Sequence, residues 1–459
     1  MTDSWVPELT KDNVPLYHGI ADAIEHDIMN GTLRTGTKMP THRALASKLK
    51  VTVATVTRAY AEASSRGLLV GEVGRGTYVR GAAALPEARN ASTDVIDFRL
   101  NQPPTAEVED ILAREMASFG ERVRIQHLLS YQLAPGSPQQ RAAGARWAAL
   151  AGVDTDPSRL VITNGAQQAL MATFTVLTQP GDLVLTESLT YPGIRSLADL
   201  FRVRIKGLEM DDEGVLPASF EAACRAGPVA AIYLTPTIHN PTATTLPLQR
   251  RIEIARIAAH YNVPIVEDDI YGPLIGGNPP PIFTLAESDC YYICGTSKTV
   301  APGLRIGYLV APPRMVQYLA NAVHVTTWSA PPLNTEIVTS WIESGTAEWI
   351  LDMHRAESAQ RLKLARDILS GFDTIIPEIG YHLWLRLPKE WHNADFVQAA
   401  YANGVAVSAS TPFAVDPADA PPAIRVSLGL PKTAELVEEG LIRLRDTLLG
   451  YNMPKTIII

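Results

Sequence analysis

The stretch YYICGTSKTVAPGLRIGYLVAP, residues 291–312, decides how the rest of the chain reads. From Tyr291 to Cys294 it is mostly apolar and runs into Gly295, the pattern of a buried strand that breaks at a glycine. Thr296, Ser297 and Lys298 follow, then a turn with Pro302 and Gly303, then a second apolar run from Leu304. A lysine at the end of a buried strand is disfavoured as an ammonium ion, which suits it to Schiff-base chemistry. Arg305, seven residues on, has the planar fork that holds a phosphate. Taken alone, the stretch is also a plain strand followed by a solvated lysine and a structural arginine, so its meaning depends on what the other segments supply.

The chain has 459 residues, enough for two or three domains. Hydrophobic residues at 46% against 19% charged fit a globular protein with a large core. The first residues have neither a basic nor an apolar signal-peptide region, and no apolar run approaches the ~20 residues that cross a bilayer, so a cytoplasmic protein is expected. Cys224, Cys290 and Cys294 are too few for a disulfide framework and have no His cluster beside them, so no metal site is expected. The net charge of −8 hides an asymmetry. Residues 34–80 hold nine Lys or Arg against Glu62 and Glu72, a balance of +7, which leaves −15 for the rest. A compact basic segment on an acidic protein is a footprint for a polyanion.

That segment sits in a run of short helices. Leu16, Ile20, Ile24 and Ile28 recur every four residues and predict a helix that stops at Asn30-Gly31. Thr41 is placed to cap a second helix with Leu45, Ala46 and Leu49 inward, and Thr52 a third with Val56, Ala59, Tyr60 and Ala63 inward. LLVGEVGRGTYVRG then reads as a two-stranded hairpin. Three helices and a hairpin predict a winged helix-turn-helix that binds double-stranded DNA, its third helix in the major groove. A purely structural helical cap is the alternative. Residues 14–80 resemble the DNA-binding domain of the GntR family of bacterial regulators, through Gly36-Thr37-Lys38-Met39-Pro40, Arg43-Ala44-Leu45-Ala46, Val51-Thr52, Thr55-Val56, Ala59-Tyr60 and the wing Gly74 to Val79. The resemblance implies that Arg43 contacts backbone or base, that Thr52, Thr55 and Thr57 line the groove face, and that Gly74 and Arg75 form the wing tip. Val53 stands where that family often has Arg, and an apolar side chain there can touch a thymine methyl but cannot read guanine bidentately.

Residues 81–93, GAAALPEARNAST, have no apolar period and read as a linker with a reach of roughly 20 Å. They separate a DNA-binding domain at 1–80 from a large domain at 94–459. There, short apolar strands alternate with helical patterns, as in an α/β domain with a mainly parallel sheet. Strands are expected at Leu160–Thr163, Leu183–Thr186, Ala230–Leu234, Ile265–Glu267 and Tyr291–Cys294, and each ends in a useful group. NGAQQ opens a helix whose free N–H groups suit a phosphate, ESLTYPG offers Tyr191 as an aromatic plate, and TPTIHNPT offers Asn240 as an amide donor. DDIYG offers an Asp for a protonated pyridine nitrogen and a Tyr about one turn away. Phosphate cradle, plate, donor, acid and lysine together are what pyridoxal 5′-phosphate requires.

With that set in hand, residues 94–450 resemble a fold-type I aminotransferase. The resemblance implies a large domain with a mainly parallel sheet and a small C-terminal α+β lobe. It makes Lys298 the Schiff-base lysine, Asp268 the partner of the pyridine nitrogen, and Tyr271 and Asn240 the partners of the phenolic oxygen. It makes Tyr191 the stacking ring and puts Ala166, Gln167, Ser297 and Arg305 at the phosphate. Tyr131 is implied to reach the phosphate of the other subunit's cofactor, and Arg425 to clamp a substrate or effector carboxylate. Ala166 often stands as Ser in relatives and Gly295 replaces a hydroxyl residue, so somewhat weaker phosphate binding is expected. Both halves in this order resemble the MocR subfamily of GntR regulators. The subfamily implies a homodimer, and a regulator that senses pyridoxal phosphate or an amine or amino-acid effector through an aldimine at Lys298. The alternative is an aminotransferase with an appended DNA-binding module, since no catalytic residue is missing. An enzyme gains nothing chemically from a +7 winged helix, which favours regulation. A repressor with an empty body conflicts with Lys298, Asp268 and Arg425 all being present.

Overall fold

The computed structural model of the chain describes residues 5–7, 16–29, 32–33, 37–65, 68–72, 76–79, 95–105, 108–114 and 128–450. It divides into two compact units, Met1–Thr93 and Asp94–Ile459.

In the first unit, helices α1 (Leu16–Met29), α2 (His42–Leu49) and α3 (Val53–Ser65) pack with an antiparallel hairpin of β1 (Leu69–Glu72) and β2 (Gly76–Val79). Ile20, Ile24, Leu45, Val56, Ala59 and Tyr60 close one core, while Leu16, at the start of the predicted stripe, stays exposed. The caps are those the sequence predicts. Thr41 Oγ1 accepts from Ala44 N at 3.2 Å, and Thr52 Oγ1 accepts from Thr55 N at 3.2 Å. Tyr60 Oη donates to the Pro40 carbonyl at 2.9 Å, which fixes the chain leading into α2 onto α3.

The second unit is built on seven strands: β3 (Leu160–Thr163), β4 (Leu183–Glu187), β5 (Arg204–Leu208), β6 (Ala231–Leu234), β7 (Ile265–Asp268), β8 (Cys290–Gly295) and β9 (Gly307–Val310). Their order is β3-β9-β8-β7-β6-β4-β5. All neighbours run parallel except β9, which is antiparallel to both β8 and β3. Five of these strands lie within a residue or so of the sequence expectation. The strand after Lys298 begins at Gly307 rather than Leu304, because Pro302–Leu304 forms a helical turn and Arg305 adopts a left-handed backbone with φ 55°. Strand β5 has no counterpart in the expectation. It is a sheet edge with exposed Arg204 and Lys206, so its sequence lacks the buried apolar run of its neighbours.

The C-terminal lobe has a four-stranded antiparallel sheet of β10 (Thr374–Ile375), β11 (His382–Arg386), β12 (Ser408–Ala409) and β13 (Ala423–Ser427), in the order β10-β11-β13-β12. Phe98, Leu383, Leu385, Val426 and Leu441 form its core. The segment that opens the unit is tied to this lobe. Phe98 N donates to Ala406 O at 2.8 Å, and Ser427 N donates to Phe98 O at 2.8 Å. Among the described residues no helix is long and apolar enough to cross a membrane.

Candidate functional site

The parallel strands β4, β6 and β7 end at one edge of the sheet, where β8 also leads into Lys298, and the groups that follow them converge there. Lys298 comes three residues after the end of β8. Its Nζ donates to the backbone oxygen of Asn101, and its own carbonyl accepts from Tyr381 Oη at 2.7 Å. Enclosure first, then the cations of Arg425 and Arg305, pull the ammonium down to about 7 against an opposing pull from Asp268. Much of the amine is therefore neutral and nucleophilic near neutral pH.

Asp268 ends β7 and is buried. Its Oδ2 accepts from Tyr233 Oη at 2.8 Å, while Oδ1 has no hydrogen-bond partner. Burial raises this carboxyl to about 7, against the opposing hydrogen bond from Tyr233 and the pull of Lys298. A buried carboxylate with one open oxygen is a seat for a cationic N–H donor. Tyr271, fully buried, accepts at Oη from Asn101 Nδ2 at 2.8 Å. Asn240 gives its Oδ1 to Arg425 at 2.6 Å, which leaves its amide nitrogen as a donor. Arg425 also donates to the Arg99 carbonyl at 2.6 Å and lies over the Phe413 ring at 4.7 Å, with its buried Nε unpartnered. Desolvation draws its guanidinium down to about 10, still charged at neutral pH.

The phosphate end is formed by helix α4 (Gly165–Leu177), which follows β3. Asn164 supplies no side-chain cap, so the first N–H groups keep their capacity for an anion. Gly165 has φ +73°, and a Cβ there would lie 2.5 Å from an Arg305 guanidinium nitrogen, so Arg305 reaches directly over the start of the helix. Arg305 Nη1 also donates to Ser297 Oγ at 3.4 Å. Ala166 and Gln167 are in this first turn, and Gln167 Oε1 is buried without a partner. Tyr191 stands just ahead of helix α5 (Pro192–Phe201) and is close enough to Asp268 and Arg305 for both charges to act on its hydroxyl, which burial raises. At Gly295 a side chain would meet the Ile306 carbonyl at 2.7 Å, so the backbone leading into β9 leaves no room for a larger residue there.

Lys298, Asp268, Tyr271, Asn240, Tyr191, Ala166, Gln167, Ser297, Arg305 and Arg425 thus gather in one cleft. Tyr131 does not join them. It is 86% exposed and rests against Trp328, with ring centroids 5.1 Å apart. Three cleft residues gave no signal in the sequence. Tyr233 lies inside the apolar run of β6, His382 inside β11, and Asn101 in a loop 197 residues from Lys298.

In the first unit Arg43, Thr52 and Thr57 are exposed and Thr55 is partly so. Val53, 44% exposed, opens the same helix face. Thr57 Oγ1 donates to the Val53 carbonyl at 3.0 Å, the local bond of a threonine within a helix. Gly74, Arg75 and the 81–93 linker lie outside the described residues.

Residues 93–444 match the family of class I and II aminotransferases, and residues 16–79 match the GntR family of bacterial regulatory proteins. An uncharacterized HTH-type transcriptional regulator of Bacillus subtilis, YdeF, is 32% identical over 451 residues, covering 97% of each chain. The vitamin B6 salvage pathway transcriptional repressor PtsJ of Salmonella typhimurium is 27% identical over 384 residues, 83% of this chain and 87% of PtsJ. Among solved structures, the α-aminoadipate aminotransferase LysN of Thermus thermophilus, in complex with N-(5′-phosphopyridoxyl)-L-leucine, superposes with a TM-score of 0.70. It is 24% identical and the match covers 85% of this chain and 98% of LysN.

Proposed function

The chain belongs to the MocR-type regulators, a GntR helix-turn-helix joined to a class I and II aminotransferase domain with pyridoxal 5′-phosphate as cofactor, and from that premise we propose that it is a DNA-binding transcription regulator whose large unit senses the cofactor itself, or an amine or amino-acid effector, through covalent attachment at Lys298. The observation that carries this reading is that one chain holds both an exposed basic helix-turn-helix and a buried cleft with Lys298, the open oxygen of Asp268 and Arg425.

The residues present fit the cofactor. The open Asp268 oxygen suits a protonated ring nitrogen, the uncapped start of α4 with Arg305 and Ser297 suits a phosphate, and the free Asn240 amide with Tyr271 suits a phenolic oxygen. Gln167 and Ala166 line the phosphate end, and Tyr191 supplies the ring that stacks. When bound, the cofactor supplies an electron sink. The protein keeps the Lys298 amine partly neutral, holds Arg425 ready for a carboxylate and keeps Asp268 dry. Leu129, Tyr131, Leu133, Val325 and Trp328 are exposed apolar residues, which supports a homodimer with Tyr131 turned toward the partner's phosphate. On the DNA side, Arg43 and Arg75 contact the duplex and Thr52, Thr55 and Thr57 face the groove, with the wing at Gly74.

Borohydride reduction of the protein with pyridoxal phosphate is expected to leave the cofactor's mass on the Lys298 peptide, and nothing on Lys298→Ala. The same preparation is expected to bind its own upstream DNA more tightly than random duplex. Equal affinity for both, together with rapid turnover of an amino acid and a keto acid, favours the aminotransferase with an appended DNA-binding module.

A further inference from the structure

Behind Lys298 a buried chain of hydrogen bonds runs from the His239 carbonyl through His382 and Asn101 to Tyr271. His382 on β11 is fully buried, and its Nε2 lies 3.0 Å from the His239 carbonyl oxygen. A carbonyl only accepts, so Nε2 carries the proton and Nδ1 is an acceptor. Asn101 Nδ2 lies 3.1 Å from that Nδ1 and 2.8 Å from Tyr271 Oη. An amide nitrogen has two protons, one for each neighbour. Turning the amide over would set its oxygen against the unprotonated Nδ1, two acceptors face to face, so the His239 carbonyl fixes the direction of the whole chain. Tyr271 Oη therefore receives a hydrogen bond and keeps its own proton for a group in the cleft. The backbone of the same Asn101 accepts from Lys298 Nζ.

We infer that Asn101 and His382 are positioning residues: together they aim the Tyr271 hydroxyl proton into the cleft, and Asn101 docks the free amine of Lys298. This rests on the cleft being the pyridoxal phosphate site. The groups that bear on His382 are Arg425, His239 and Lys298, and those that bear on Tyr271 are Arg425, Asn101 and Asp268. Burial and the Arg425 cation push His382 down to about 3, so its ring stays neutral and its tautomer holds at physiological pH. His239 is buried and precedes Asn240, so one loop sets both the His382 acceptor and the Arg425 anchor.

The test is the pH midpoint of the visible absorption band in cofactor-loaded protein. A hydroxyl that donates to the cofactor's phenolic oxygen stabilises that oxygen's negative charge and holds the midpoint low. Asn101→Ala and His382→Phe are each expected to raise the midpoint by about one pH unit, a tenfold change in the protonation equilibrium. His382→Gln, which can still accept from Asn101 and donate to His239, is expected to restore most of the shift. Added to Tyr271→Phe, His382→Phe is expected to move the midpoint no further. Wild-type midpoints in Asn101→Ala and His382→Phe overturn the inference, as does an equal shift in the Tyr271→Phe background. A His382→Gln protein that folds but behaves as His382→Phe also overturns it. Wild-type protein with no visible band at all overturns instead the cofactor reading on which the inference rests.

Discussion

The face of α3 and the cleft around Lys298 hold their functional groups in opposite ways. On α3 and its surroundings the polar groups are exposed, held by local bonds such as Thr52 to Thr55, and separated by only a few residues in the chain. In the cleft Asp268 and Arg425 are buried, and each is fixed by a partner far away in sequence: Tyr233 for Asp268, Asn240 and Arg99 for Arg425. Exposed charge is cheap to hold and is screened by salt, whereas buried charge is costly to hold and is screened little. One surface suits a polyanion met along its length, and the other suits a small ligand whose charges match point by point.

Salt separates the two most widely. If six to ten phosphates are neutralised, DNA affinity is expected to fall by about 10³–10⁵ between 50 and 200 mM salt. Over the same range cofactor affinity is expected to change by less than about tenfold, since Asp268, the partner of its ring nitrogen, is buried and only Arg305 at the phosphate end is exposed. Fluorescence anisotropy for DNA and the visible band for cofactor measure both on one sample. Parallel losses would break the distinction.

Removing one buried partner comes next. Asp268→Ala is expected to weaken cofactor binding by roughly 3–5 kcal/mol, because a cationic ring nitrogen would face no carboxylate. DNA binding by the cofactor-free protein should be unchanged.

The pH dependence of stability follows from the same burial. Asp268 and Glu187 are both raised to about 7 by desolvation. The folded state therefore keeps protons that the unfolded chain releases above about pH 4. These two carboxyls are expected to contribute a fall in stability of the cofactor-free large unit as pH rises from about 4 to about 7, by up to about 1.4 kcal/mol per pH unit each, opposed below about pH 6.5 by His239 and His382, whose rings burial holds neutral. Asp268→Asn removes one share of that slope, and urea melts at several pH values measure it.

The smallest effect belongs to the exposed face. Thr52→Ala is expected to cost about 1 kcal/mol through loss of the α3 cap, lowering the melting point of the N-terminal unit and leaving cofactor binding unaltered.

The same contrast explains what the sequence could disclose. The helix-turn-helix was legible because caps and inward stripes are local: Thr41, Thr52 and the Val56-Tyr60 face are set by neighbours three or four residues away. Much of the cleft was legible too, because Asp268, Asn240, Tyr191 and Lys298 each follow a buried apolar strand. Asn101 was not, since its partners Tyr271, Lys298 and His382 are 170 to 281 residues distant. Tyr233 and His382 were hidden inside strands, where an aromatic residue reads as packing. Edge strand β5 was missed because its exposed Arg204 and Lys206 break the apolar run.

The central claim is that the two surfaces are coupled. A sensor requires that cofactor or effector at Lys298 change operator affinity, and linkage requires that operator DNA change ligand affinity by the same factor. The direct measurement is a full cycle: titration of the upstream DNA with cofactor-free, cofactor-loaded and Lys298→Ala protein, and titration of cofactor with and without that DNA. Equal factors in both directions are expected, about 5–150-fold or about 1–3 kcal/mol, with their loss in Lys298→Ala. Superimposable DNA curves for all three proteins would contradict it.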